Sequence, residues 1–406
     1  MTWLWTRPDH PEKIELPPFT ECANMVQIPM MERRTTPKWK VYPALLGFGV
    51  MRLPLSSDGT IDREQSDAML TLAYESGVTY FDTAYTYHHG EGEPYLGSFL
   101  TRYPRSSYQL ATKLPHWQVE SLEDAKRIFA DQLERLNVEF FDYYLIHSIG
   151  KTAFTKMVDL GVLDYLLEEQ ERGRIVHLGF SFHQIYEEFE YILRYRTWDF
   201  CQIQYNFLDT EEQAGTAGYE LATALGIPVI VMEPIKGGSL ANLGDELSKR
   251  ITDLDSAATP ASYALRWVAD HPNVKVILSG MSTIDQVREN VATLSAPTPL
   301  SALEKSAIEA IGETMRGRIG NSCTGCSYCM PCPFGVDIPG NFALWNKARM
   351  FESYQVVKRA WENPAEEEKR PPSCTECGAC LPLCPQMINI PADLKLVEAE
   401  LTALKG

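Results

Sequence analysis

The sequence predicts an α/β fold, a (β/α)8 TIM barrel, followed by a small, mainly α-helical, cysteine-rich domain. Three observations carry this expectation. Short apolar runs alternate with longer amphipathic stretches from residue 44 to 296; eight of the ten cysteines fall between Cys323 and Cys384; and the 406-residue chain, 45% hydrophobic and 22% charged, has ample apolar material for a core.

Taken in order, residues 1–40 form an N-terminal extension with several prolines and no clear periodicity, for which a wrapping tail is the simplest reading and a lid or dimer arm the alternatives. Residues 41–300 hold eight strand candidates: 44–53, 78–84, 108–114, 142–148, 175–182, 199–205, 227–234 and 274–280. Their continuous Val, Ile and Leu suit parallel strands buried on both faces. Between them lie helices such as 121–136, where Ser121 is placed to cap the first turn. Eight is the closing number of such a barrel. A doubly wound sheet would place GxGxxG after its first strand, whereas GFG at 47–49 runs on into MRLP. Residues 301–320 read as a helix and linker, 321–406 as the cysteine-rich domain with a helical stretch around 341–361, and 363–372 as a solvated loop.

Charge narrows the partners. With 37 Lys plus Arg against 54 Asp plus Glu, the net charge is −17, so no nucleic acid and no anionic membrane is expected as a partner. No run of about 18 apolar residues occurs. The opening MTWLWTRPDHPEK lacks a basic segment followed by an apolar one, and the expected location is cytoplasmic.

In a barrel of this kind the site is built at the C-terminal ends of the strands. The second strand ends in Asp82 with Tyr87 just beyond, the third in Lys113, the fourth in His147, the fifth in Ser181, the sixth in Gln202 and Gln204, and the seventh in Glu233. A lysine at the end of an apolar strand needs a counter-charge, and Asp82 is available. An ammonium beside Tyr87 is expected to lower the phenol's pKa from about 10, bringing it into range for acid–base work. A neutral His147 adds a donor that can polarise a carbonyl oxygen. Singly, each is more simply a packed strand-end residue; together they suit proton delivery to a forming alkoxide.

The segments GFGVMRLP (47–54), FDTAYTYHHGEGE (81–93), LATK (110–113), DYYLIHS (142–148), LGFSFH (178–183) and SGMSTIDQVREN (279–290) resemble the aldo/keto reductase family over about 41–300. The resemblance implies a catalytic tetrad of Asp82, Tyr87, Lys113 and His147, with Tyr87 the proton donor, and an NAD(P)(H) cofactor bound without a Rossmann fold. Cofactor-binding residues follow at matching positions: Ser181 and Gln202 for the nicotinamide amide, Met232 against its ring, and Gly280, Ser282 and Asn290 for the adenosine end. Phe182 stands where the family has Asn, which passes that contact to His183. Gly280 and Gln286 occupy the places of the family's 2′-phosphate ligands, with Arg288 nearby.

The cysteines fall in two runs, CTGCSYCMPCP (Cys323, Cys326, Cys329, Cys332) and CTECGACLPLCP (Cys374, Cys377, Cys380, Cys384). Three thiolates spaced by two residues wrap a 4Fe-4S cube, and the second run has the two-cluster ferredoxin spacing. Zinc sites favour paired CxxC with a longer gap. In two-cluster ferredoxins the fourth cysteine of each run ligates the other cluster. That pattern predicts one cube on Cys323, Cys326, Cys329 and Cys384, and another on Cys374, Cys377, Cys380 and Cys332. The first run has two residues, not three, before its fourth cysteine. Barrel plus module resembles the iron–sulfur branch of the aldo/keto reductases.

The expected function is therefore an oxidoreductase that interconverts a small-molecule carbonyl and alcohol with NAD(P)H. Two 4Fe-4S clusters would serve as an electron relay to a redox partner such as ferredoxin. A redox-neutral epimerase with tightly bound nicotinamide is the competing reading. Arg52, His88 and His89 stand near the expected mouth, and Trp3, Trp5 and Trp39 are aromatics able to close over a ligand.

Overall fold

The computed structural model describes residues 31–404 apart from 324, 326–328, 352–353 and 385–386, and not the side chain of Gln355. Trp3, Trp5, Cys22 and Cys326 lie outside the described residues. Eight parallel strands close into a barrel in sequence order: β1 (Leu46–Gly49), β2 (Tyr80–Asp82), β3 (Gln109–Leu114), β4 (Phe141–Ile146), β5 (Ile175–Phe182), β6 (Phe200–Gln204), β7 (Val229–Met232) and β8 (Val274–Ser279). Seven fall within their expected runs, β4 begins one residue earlier, at Phe141, and most are trimmed at the ends where the chain leaves the ladder for the loops. Ser121 caps the helix Leu122–Leu136 through a capping box with Asp124.

Strand side chains alternate between the barrel interior and the surrounding helices. The interior floor is apolar and aromatic: Tyr80, Ala111, Tyr143, Leu145, Phe200, Ile230, Val276 and Leu278 form one buried cluster. Gly179 contributes the space this floor needs, since a Cβ there would stand 2.7 Å from the Phe200 ring and from its carbonyl oxygen. One step of two residues along each strand carries the chain from floor to mouth: Tyr80 to Asp82, Ala111 to Lys113, Leu145 to His147, Gly179 to Ser181, Phe200 to Gln202 and Ile230 to Met232.

The described part of the N-terminal extension closes the other end. Trp39 is buried beneath the floor, edge-on to Tyr143 at 5.2 Å, and its indole donates to the Asp199 carbonyl at 3.2 Å. Arg34 donates to the His271 and Val274 carbonyls at 3.0 Å. Trp39 is therefore a plug at the N-terminal ends of the strands, opposite the mouth, and does not close over a ligand. Its apolar surface is satisfied where the aromatic floor leaves a gap.

The helix Ala302–Gly317, also opened by a capping box, packs on the loops that follow β6 and β7. Ile308, Ile311 and Met315 share a core with Phe207, Leu208, Leu240 and Leu243, and Phe351 of the C-terminal module joins it. The module consists of helices Ile338–Phe351, Tyr354–Trp361 and Ile390–Thr402 around a second core with Trp345 at its centre. The segment 363–372, expected as a loop, forms two short 3-10 turns, Pro364–Lys369 and Pro371–Ser373, because Asn363 caps the Ala365 amide and prolines preset the backbone. Among the described residues no helix is long and apolar enough to cross a membrane.

Replacing Trp39 with Ala should cost about 3–5 kcal/mol, as removal of a fully buried large aromatic does. Denaturant unfolding checks the loss, and ligand affinity at the opposite end of the barrel should stay unchanged.

Candidate active site

A cavity of about 910 Å³ opens at the C-terminal ends of the strands. At its base Lys113 and Asp82 are both almost fully buried, with Nζ 2.6 Å from Oδ1. The ammonium also donates to the Thr83 carbonyl at 2.7 Å and to the Tyr87 hydroxyl at 3.4 Å. All three ammonium hydrogens thus have acceptors, which is the condition under which a buried lysine remains charged. Burial works against the charge of Lys113, but Asp82 and Tyr87 outweigh it and its pKa rises. Burial raises Asp82 as well, with Lys113 opposing. Ordinary carboxyl and ammonium values lie about six units apart, and the proton stays on Lys113.

Tyr87 corrects an expectation. Burial raises its pKa; Lys113 pulls the other way and does not prevail, while Asp82 adds to the rise. Tyr87 is therefore a phenol, not a phenolate, at neutral pH: an acid awaiting a stronger base. His147 stands beside it, ring centroids 6.0 Å apart. Burial, then the Lys113 charge, push the imidazole down to about 2, so it is neutral throughout the working range.

Ser181 and Gln202 face the same cavity from β5 and β6, both buried. The Ser181 hydroxyl accepts the Ser148 amide at 2.8 Å, which ties the loop after His147 to β5. Gln202 donates to the Met232 sulfur at 3.5 Å, and its carbonyl oxygen is buried without a partner. Gly280 and Ser282 line the cavity, with the Ser282 amide donating to Gln286 at 2.7 Å. Asn290 does not reach it. Its amide donates to Ser279 at 2.9 Å behind β8, because the helix Ile284–Leu294 turns that face toward the barrel wall. Phe182 points outward against Phe189, while His183 faces the cavity. Arg288 pairs with Asp285 at 2.8 Å on the surface.

Trp117 was not singled out by sequence. It lines the cavity half-exposed, its ring 5.0 Å from His147. An aromatic in the loop directly after the Lys113 strand was the available signal. Four cavity residues, His88, His89, Ser148 and Glu233, hold φ between 50° and 57°, a left-handed conformation that costs non-glycine residues energy and concentrates at working sites.

A model of the aldo/keto reductase family matches residues 45–313, and one of the 4Fe-4S dicluster domain matches 322–389. This chain belongs to the aldo/keto reductase family. The family acts on carbonyl and alcohol groups as oxidoreductases, and the chain joins such a barrel to a helical 4Fe-4S ferredoxin-like region. Probable aldo-keto reductase 1 of Glycine max is 26% identical over 322 residues, covering 68% of this chain and 88% of its own length. The NADH-specific methylglyoxal reductase of Escherichia coli K12 is 26% identical over 283 residues, covering 59% and 85%. An aldo-keto reductase from Bacillus halodurans, in its holo form, matches with a TM-score of 0.59 at 26% identity over 69% of this chain and 96% of that one.

In this aldo/keto reductase the residues at the end of β5 and β6 fit a nicotinamide carboxamide. The orphaned Gln202 oxygen is an acceptor for its NH2, and the Ser181 hydroxyl a donor for its carbonyl. In the C-terminal domain Cys329, Cys332, Cys374, Cys377 and Cys380 line a common cavity of about 180 Å³. Cys332 of the first run thus stands among the first three cysteines of the second. Cys323 and Cys384 pack partly buried against the same core. The donor set is soft thiol walled by Pro331, Phe334, Val336 and Leu394, which suits an iron–sulfur cluster.

Lys113→Met should destabilise the protein by about 3–5 kcal/mol, since it strands Asp82 buried and unpaired. Adding Asp82→Asn should recover much of that stability without restoring turnover; a double-mutant cycle by denaturation, with rates measured alongside, checks both.

Proposed function

We propose that this enzyme reduces the carbonyl of a small molecule to an alcohol with NAD(P)H, and that its C-terminal cysteines hold two 4Fe-4S clusters. The observation that carries the reading is the convergence of Tyr87, His147 and the Lys113–Asp82 pair on the cavity into which the unpartnered Gln202 oxygen also faces. A bound dihydronicotinamide supplies the hydride, two electrons with one proton.

The chain's own residues do the rest. Ser181 and Gln202 would hold the nicotinamide carboxamide from β5 and β6, with Met232 beside them on β7. His147, neutral, offers a ring N–H to the substrate oxygen, where negative charge develops as the carbonyl carbon accepts hydride. Tyr87 then gives its proton to that oxygen, completing the alcohol. The phenolate left behind lies 3.4 Å from the Lys113 ammonium, which stabilises it until solvent returns a proton. Asp82 keeps Lys113 in place and charged throughout. In the alcohol-to-carbonyl direction the same phenolate takes the proton. Because the resting phenol is raised by burial, reduction should proceed unchanged through neutral pH and fall only on the alkaline side of an ordinary tyrosine.

Cys323, Cys326, Cys329 and Cys384 would hold one cluster, and Cys332, Cys374, Cys377 and Cys380 the other, offering one-electron exchange with a partner such as ferredoxin. That Cys329 and Cys332 of the first run line one cavity with Cys374, Cys377 and Cys380 supports a cluster site shared between the two runs. Thiolate-held clusters and the net charge of −17 fit a reducing cytoplasm and a small-molecule substrate in place of a nucleic acid.

Titration with NADH and NADPH, followed by nicotinamide fluorescence, tests the cofactor reading; binding of neither would sink it. Tyr87→Phe should leave that binding intact and lower kcat by about 10²–10⁴-fold, the range of a lost general acid. Protein purified without oxygen should carry about eight irons and eight labile sulfides per chain, and Cys332→Ala about four of each. An unchanged count in that variant would contradict the crossed assignment.

A further inference from the structure

Proton transfer needs the Tyr87 hydroxyl and the Lys113 ammonium at a fixed separation, yet the two come from different parts of the barrel. Lys113 is on β3. Tyr87 is in the loop after β2, where His88, His89 and Gly90 follow with φ of 52°, 57° and 94°, three left-handed residues in a row. Such a path is costly for histidine and persists only where surrounding contacts impose it. Those contacts converge on one carboxylate, Glu93, which takes no part in the steps above.

Glu93 stands in the first turn of the helix Gly92–Leu100 and is fully buried. Its Oε1 accepts the Thr112 hydroxyl at 2.6 Å and the Gln132 amide at 2.7 Å, and the same amide donates to the Lys113 carbonyl at 3.1 Å. One oxygen is thus committed to β3, beside Lys113. Oε2 accepts no hydrogen bond among the described residues; next to it, at 3.6 Å, is Nη1 of Arg135. That guanidinium holds the Tyr87 loop. It donates to the Tyr85 carbonyl at 3.4 Å and lies over the Tyr85 ring, 4.0 Å from the centroid. Asp131 closes the arrangement, accepting from the Tyr85 hydroxyl and pairing with Arg135, both at 2.8 Å.

Two glycines bring these parts together. A Cβ at Gly92 would stand 3.1 Å from the Tyr87 Cβ and carbonyl oxygen, and one at Gly97 would stand 2.7 Å from the Arg135 carbonyl oxygen. The helix that carries Glu93 therefore packs on Tyr87 at its start and on the Arg135 helix, Leu122–Leu136, in its middle. A buried carboxylate left without its cation is very costly, so Glu93 and Arg135 hold each other in place.

We propose that Glu93 is a positioning residue for the proton transfer: it ties β3 to the Tyr87 loop through Arg135 and so sets the separation of phenol and ammonium. The assignment rests on the carbonyl-reduction reading above and adds to it a residue outside the tetrad. Glu93 acts on kcat and spares cofactor affinity, because Ser181, Gln202 and Met232 stand on other strands.

Two measurements on the intact, anaerobically purified protein test it. Hydrogen exchange read by mass spectrometry follows the loop without turnover. Glu93→Gln keeps the acceptor for Thr112 and Gln132 and removes the charge facing Arg135; Arg135→Met removes a guanidinium that is partly exposed. In both, peptides over residues 84–92 should exchange faster while those of β5 to β8 keep wild-type protection. In turnover of a small aldehyde, Glu93→Gln should lower kcat about tenfold to a hundredfold and leave the dinucleotide Kd unchanged. Glu93→Gln combined with Tyr87→Phe should be no slower than Tyr87→Phe alone, whereas a carboxylate that only braces the fold would lower both backgrounds by the same factor.

The proposal is overturned if residues 84–92 exchange as in the wild type, if Glu93→Gln keeps wild-type kcat, or if its loss persists in full on top of Tyr87→Phe. Should Glu93→Gln lose protection throughout the barrel, Arg135→Met decides by the same readings. A wild type that reduces no carbonyl would instead overturn the function reading, and the exchange of residues 84–92 then decides whether Glu93 holds the loop.

Discussion

The site depends on one buried ion pair. Lys113 and Asp82 sit one step above an aromatic floor that excludes water, and neither charge has a way to solvent. In such surroundings an unpaired charge is very costly, so each fixes the other, and the strands that carry them are locked in register. That register places His147, Ser181, Gln202 and Met232 in the same ring above the floor. The pair also supplies the fixed positive charge beside Tyr87. The floor therefore sets the electrostatics of the site as well as its stability: by keeping the dielectric low, it strengthens the field of the ammonium at Tyr87.

Behind Lys113, on the helix side of β3, a second polar network holds the strand. Thr112 and Gln132 donate to the buried Glu93 at 2.6 and 2.7 Å, Gln132 also donates to the Lys113 carbonyl at 3.1 Å, and Tyr144 donates to Gln132 at 2.7 Å. Burial lifts the Glu93 carboxyl to about 6. The backbone of Lys113 is thus tied on one side while its ammonium is tied on the other. The rim is held differently. Lys236 and Asp209 staple the β7 loop to the β6 loop at 2.6 Å, and both loops share a hydrophobic core with Phe351 of the C-terminal domain. Cavity rim and cysteine-rich module are therefore parts of one packed structure.

Much of this was legible in sequence, for a physical reason. Strand side chains have a period of two, so polar residues closing consecutive apolar runs must meet at one end of a barrel; Asp82, Lys113, His147, Ser181 and Gln202 follow from that alone. The thiol spacing likewise carried its own geometry. The sign of the Tyr87 shift was not legible, because it is a contest between burial and the Lys113 charge, and burial is a property of the assembled cavity. Trp39 was misleading: an aromatic in a proline-rich leader looks the same whether it plugs the floor or covers the mouth. Asn290 matches a motif by position, yet its helix turns it to the wall. Trp117 arises from a loop path that no periodicity encodes.

The central claim is that this barrel moves a hydride from nicotinamide to a carbonyl carbon while Tyr87 supplies the proton. Deuterium tracing tests it most directly. The enzyme, purified without oxygen, is given dinucleotide deuterated at the transferable C4 position and a panel of small aldehydes and ketones in ordinary water, and the product alcohol is read by mass spectrometry and NMR. The account predicts one deuterium on the carbinol carbon and none on the hydroxyl, with turnover collapsing in Tyr87→Phe. Oxidation of the dinucleotide that leaves the carbinol carbon unlabelled, its deuterium lost to solvent, would contradict it.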